Sequence, residues 1–102
     1  MLPAISGGTH IENIAAISVI ETYSVAATIE ATDAAVKAAQ VEPIRMHLAF
    51  GIGGKSYVIL TGEVADIMAA TDAGASVASE KGFLVSKIVI PRPHQQLIDQ
   101  LL

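Results

Sequence analysis

The sequence predicts an α+β domain: one antiparallel sheet with two helices packed on one of its faces. Three observations carry this expectation. Four short apolar runs, at residues 14–21, 41–49, 56–61 and 83–90, are strand-length and rich in Val and Ile. Two longer alanine-rich stretches, residues 25–39 and 63–81, have helical composition. The loop between the second and third runs is too short for a crossover, so those strands pair as an antiparallel hairpin.

Residues 1–12 open with a Pro, a Gly-Gly pair and small side chains, the composition of a linker. The run IAAISVIE at residues 14–21 is a buried strand. Tyr23 and Ser24 then offer a turn, with Ser24 as helix N-cap. The first helix is assigned an apolar stripe of Val25, Ile29, Val36 and Ala39, with Asp33 and Lys37 four apart on its outer side. In the second strand Ile44, Met46 and Leu48 alternate with Arg45 and His47, which gives one buried and one polar face. Pro43 marks an edge or a bulge there.

After the third strand, Gly62 and Glu63 open the second helix. Its inner stripe is read as Val64, Ile67, Met68, Thr71, Ala75 and Ala78. Gly74 allows close packing against a neighbour, and Gly82 ends the helix at C′. The run FLVSKIVI is the fourth strand, stopped by Pro91-Arg92-Pro93. The tail HQQLIDQLL has the pattern of a short amphipathic C-terminal helix. The order is βαββαβ, the ferredoxin-like split βαβ arrangement. One domain spans residues 13–102.

Composition narrows the function. The chain of 102 residues is 52% hydrophobic, 4% aromatic and only 16% charged, against a usual charged fraction of about a quarter. A small domain with so few charges covers its own surface poorly, which suggests burial against other chains. Net charge is −4 with no basic run, so nucleic acid is not an expected partner. The absence of cysteine removes disulfides, thiolate catalysis and cluster ligation by this chain. No signal-peptide pattern and no membrane-length apolar run is present, so no membrane partner is expected.

The stretch Ala49-Phe50-Gly51-Ile52-Gly53-Gly54-Lys55-Ser56 lies at the centre of the chain. Three glycines in four residues free the backbone to turn and leave main-chain N–H groups uncovered. Gly54-Lys55-Ser56 imitates the end of a phosphate-binding P-loop, but Ala49 stands where the first glycine belongs. A strand rather than a helix follows the lysine, so no helix N-terminus faces a phosphate. His10, His47 and His94 have no metal-ligand spacing, so no metal site is expected. Glu21 ends a strand with no nucleophile or base beside it, and no catalytic residue is assigned. Arg92, held between two prolines, is presented at low entropic cost, as a recognition residue or as a capping one.

Several of these stretches resemble a known family. Ile20-Glu21-Thr22, Val25-Ala26-Ala27 and residues 33–39 (DAAVKAA) look like the opening of a bacterial microcompartment shell protein domain. The ending Val89-Ile90-Pro91-Arg92-Pro93-His94 is similar to the family's ending. Gly62-Glu63-Val64 and Asp72-Ala73-Gly74-Ala75 fit as well. Residues 46–55 and the opening Leu2-Pro3-Ala4-Ile5-Ser6-Gly7 resemble the second half of tandem-domain, trimer-forming shell proteins of the propanediol-utilisation type. The chain is therefore expected to be a free-standing shell domain or one half of a longer tandem protein.

The resemblance implies a non-enzymatic structural protein of the bacterial cytoplasm. Six such domains close into a hexameric or pseudohexameric disc, and discs tile with other shell proteins around encapsulated enzymes. It implies a central pore for small metabolites lined by Phe50, Gly51, Ile52, Gly53, Gly54 and Lys55. Lys37 and Arg92 would serve contacts at the disc edge. Some tandem relatives hold an iron–sulfur cluster through a cysteine of their first domain. This chain has no cysteine, so no cofactor of its own is expected. A different reading of the same fold is an oligomeric regulatory domain that binds a small effector at subunit interfaces.

Overall fold

The computed structural model describes residues 16–50 and 54–91. The elements are β1 (Ala16–Thr22), α1 (Val25–Ala38), β2 (Val41–His47), β3 (Ser56–Gly62), α2 (Val64–Glu80) and β4 (Leu84–Pro91). They form one four-stranded sheet of order β2-β3-β1-β4, antiparallel at every pair. The βαββαβ order and the expected hairpin between β2 and β3 are both present. The expected linker at residues 1–12 and the expected C-terminal helix lie outside the described residues.

Alternation along the strands divides the core in two. Ala16, Ile20, Val58 and Leu60 point to the helices and pack with Ala31, Ala35, Ile67 and Ala70. On the opposite face Ile17 and Ile59 form a second cluster with Val19, Ile44 and Tyr57.

The helices meet through small side chains. Gly74 of α2 lies so close to α1 that a Cβ there would sit 2.7 Å from the Ala31 carbonyl oxygen and 2.9 Å from Ile20 Cδ1. This is the close packing expected of Gly74, and it overturns the apolar stripe expected for α1. The buried residues of α1 are Ala27, Thr28, Ala31 and Ala35, whereas Ile29 is 49% and Val36 39% exposed. At so short a separation only alanine-sized groups fit between the helices, so the bulky residues face outward. On α2 the assigned stripe is met at Ile67, Thr71, Ala75 and Ala78, which are buried together with Ala70 and Gly74, but not at Met68, which is 54% exposed.

The second strand also departs from expectation. Met46 is exposed and Ile44 and Leu48 are only half-buried, because β2 is an edge strand with one sheet neighbour. Its register with β3 shifts between Pro43 and Arg45, the irregularity that a proline without a backbone donor produces at an edge.

The helix ends follow local chemistry. Ser24 Oγ accepts the Ala27 backbone N–H at 3.2 Å and caps α1. Thr22 Oγ1 donates to the Ser24 carbonyl at 2.6 Å and lies 2.9 Å from Thr28 Oγ1. The Thr22 proton is committed to that carbonyl, so Thr28 is the donor of the second bond. Gly82, at φ +77°, ends α2 with its N–H on the Ser79 carbonyl, as a left-handed C′ residue does. Lys81 bonds Glu30 across the helices, and Lys87 of β4 bonds Asp72 of α2. Both pairs are exposed and each contributes about 0–1 kcal/mol.

Candidate functional site: the glycine loop and the two ends of the domain

The strands position the central loop at one end of the sheet. β2 ends at His47 and β3 begins at Ser56, and these strands pair His47 with Tyr57. The base of the loop is strapped: the Ala49 backbone N–H donates to Ser56 Oγ at 3.0 Å, and Ser56 is fully buried. A Cβ at Gly54 would fall 3.0 Å from Ala49 Cβ, so the two arms of the loop pass at glycine distance. The sequence reading missed this strap. Its signal was a serine at the first position of a strand directly after a glycine-rich stretch.

The residues assigned to the pore distribute as follows. Phe50 is 81% exposed, Gly54 is half-buried and Lys55 is exposed. Gly51, Ile52 and Gly53 lie outside the described residues. Lys55 and Ser56 run straight into β3 with no helix, which removes the P-loop likeness. His47 stacks on Tyr57 with ring centroids 5.3 Å apart and an interplanar angle of 23°. Glu21, on the neighbouring strand, accepts a hydrogen bond from Ser86 Oγ at 3.3 Å, a structural tie between β1 and β4. Among the described residues no three His, Cys, Asp or Glu side chains are grouped to hold a metal ion.

The loop end has a distinctive chemistry. All four aromatic residues of the chain gather there. Tyr57 faces Glu21, Phe50 lies in the loop, and Tyr23 and Phe83 flank the ends of β1 and β4 and are joined by a backbone hydrogen bond of 3.0 Å. Tyr23 is 55%, Phe83 42% and Phe50 81% exposed. Large apolar side chains therefore stand in water around a loop whose base is rigid.

The other end holds the remaining assigned residues. Lys37 lies in the last turn of α1, beyond the start of β2 and so about 20 Å from the loop along a seven-residue strand. Its Nζ sits 2.9 Å from Asp33 Oδ2, with its side chain 74% exposed. Pro91 ends β4 opposite Ala16, also at the end away from the loop. Arg92 follows it and lies outside the described residues. The structure thus separates the assigned residues into two groups and brings neither Lys37 nor Pro91 near the loop.

Comparison with known proteins identifies the family. A family model described as BMC domain matches residues 16–93. The bacterial microcompartment shell protein PduT of Citrobacter freundii is 48% identical over 101 residues, which cover 99% of this chain and 55% of that protein. EutM of Salmonella typhimurium, also a microcompartment shell protein, is 48% identical over 82 residues, covering 80% of this chain and 83% of its own length. The crystal structure of a microcompartment protein from Desulfitobacterium hafniense superposes with a TM-score of 0.79 at 46% identity, over 89% of this chain and 51% of that one. The chain spans about half the length of PduT and of the Desulfitobacterium protein. With the family model covering every described strand and helix, this chain belongs to the BMC domain family.

Proposed function

We propose that this domain is a non-catalytic building block of a bacterial microcompartment shell. Six such domains close around an axis, as six chains or as three tandem chains, with residues 50–55 of this domain at the centre. The observation that supports this reading is the polarity of the domain. Its exposed aromatics surround the glycine loop, while Lys37 and the end of β4 lie at the far end. A cyclic arrangement buries the apolar loop ends between copies and leaves the far ends as the rim, where discs meet each other and other shell proteins. The paucity of charge has the same explanation, since most of the flank is then internal.

In this arrangement the loop frames a pore for small polar metabolites. Backbone N–H groups of glycines favour anionic or polar solutes there, and Lys55 adds a positive charge at the loop base. Enzymes enclosed by the shell are the source and the destination of those solutes. At the rim, Lys37 is held in place by Asp33 and reaches towards the neighbouring disc.

The test is the absolute mass in solution by light scattering, at several concentrations. A mass of six chains is expected for this domain alone. A monomer at high concentration overturns the cyclic reading for this chain. Lys37→Glu leaves that mass unchanged and abolishes extended sheets in electron micrographs; normal sheets would remove Lys37 from the rim.

A further inference from the structure

The loop end carries two exposed aromatic surfaces, and the sheet order sets them on opposite sides of it. One is Phe50, 81% exposed, in the connection from β2 to β3. The other is the pair Tyr23 and Phe83, exposed as given above, where Tyr23 directly follows β1 and Phe83 directly precedes β4. With the order β2-β3-β1-β4, the two surfaces stand two strand spacings apart, about 10 Å, one towards each edge of the sheet. Both are mounted on fixed backbone. Phe50 follows Ala49, whose N–H is held by Ser56 Oγ. Tyr23 N–H donates to the Phe83 carbonyl, and Phe83 N–H donates to the Ala78 carbonyl, each at 3.0 Å. Thr22 Oγ1 accepts the Ser24 N–H at 3.0 Å, so the residues on either side of Tyr23 are tied to each other. Little backbone freedom is left to lose when such side chains enter a contact. Tyr57, the fourth aromatic residue, is already occupied within the domain by its stack on His47.

We propose that Phe50 of one copy packs against Tyr23 and Phe83 of the next, so that each loop end is completed by its neighbour. The inference rests on the cyclic arrangement proposed above and names a contact that closes it. The occupant is a second copy because one chain carries both halves, unlike in shape and matched in chemistry, on opposite sides of the same end. A contact between unlike patches is head-to-tail, and it repeats from copy to copy until a ring closes. Contact between like patches, Phe50 on Phe50, gives a two-fold pair instead. Aromatic side chains are enriched at the centres of interfaces and among their energetic anchors, and offset or edge-to-face packing of rings adds attraction beyond burial. Composition points the same way: with only 16% charged residues, the chain has few solvated groups to spare around a patch of this kind.

The chain has no cysteine, so a short bifunctional maleimide reads contacts between introduced thiols alone. Phe50→Cys and Phe83→Cys, both at exposed positions, are prepared as separate 102-residue chains, and light scattering gives the mass of each, of their equimolar mixture and of the wild type. The expected result is an interchain cross-link in the mixture and none in either variant by itself. Phe50→Ala is expected to raise the concentration at which half of the assembly has dissociated by about tenfold or more, as loss of an interface anchor does. Variants that no longer assemble where the wild type does support the contact in the same way. Cross-linking of Phe50→Cys with itself sets the loops against one another and overturns the proposal. An assembled mixture without a cross-link, or a Phe50→Ala chain that dissociates like the wild type, overturns the contact and leaves the cyclic reading standing. A wild-type chain that stays monomeric at high concentration overturns both. Tyr23→Cys replaces Phe83→Cys if the latter fails to fold, with the same outcomes.

Discussion

Gly74→Ala tests the helix packing through the sign of its effect. At an exposed helical site this change raises stability by about 1 kcal/mol, because alanine loses less backbone freedom on folding. Here the added methyl meets the Ala31 carbonyl oxygen at 2.7 Å and Ile20 Cδ1 at 2.9 Å. The carbonyl belongs to the backbone of α1 and cannot rotate aside, so α1 and α2 must separate by several tenths of an ångström. Overpacking of this kind costs typically 1–3 kcal/mol. With a backbone oxygen on one side and a buried isoleucine on the other, the upper part of that range applies. Set against the propensity gain, the net loss is about 2 kcal/mol, or roughly 8–16 °C in Tm for a domain of this size. The assay is thermal unfolding by circular dichroism at a fixed protein concentration, since assembly contributes to the apparent Tm. An unchanged or raised Tm would refute the reasoning, because the helices would then have room for a methyl group.

Other expected outcomes follow from single contacts. Gly82→Ala meets no atom within 4 Å but must hold φ +77°, so it costs about 1–2 kcal/mol by backbone strain alone; Gly82→Asn should cost less in the same denaturant titration. Ser24→Ala removes the cap on the Ala27 N–H and should lower stability by about 1 kcal/mol. Thr71→Val should be neutral or stabilising in chemical denaturation, because the Thr71 hydroxyl is buried with no hydrogen-bond partner and an apolar group of the same shape relieves its desolvation.

The order of elements along the chain and the β2–β3 hairpin were legible because they rest on local signals: β-branched runs and a short loop that forces a hairpin. The caps at Ser24 and Gly82 were legible for the same reason, each being set by one residue and its immediate backbone. Burial of individual helix residues was legible only in part: Ile67, Thr71, Ala75 and Ala78 are buried as expected. Reading the largest apolar side chains as the inner stripe placed Ile29, Val36 and Met68 in the core, whereas Ala31, Ala35 and Ala70 occupy it. A helical pattern reports which side chains are apolar and not how near the partner helix comes, and here the approach at Gly74 decides. Glycine in mid-helix was itself the clue, since it signalled a packing reason at that position.

At the candidate site the loop was found from its glycines. The buried Ser56 that fastens it was not, because a serine at a strand start has many uses. The clustering of aromatics at the loop end was invisible for another reason: Tyr23, Phe50, Tyr57 and Phe83 are spread over more than half of the chain, and only the sheet order brings them together.

That clustering gives the molecule a built-in optical probe. The chain has no tryptophan and only two tyrosines, and both Tyr23 and Tyr57 stand at the loop end. Near-ultraviolet emission of the unlabelled protein therefore originates from one end of the domain and from nowhere else. Collisional quenching by a small neutral solute would follow the solvent access of that end during dilution or mixing, without a dye and without altering a residue.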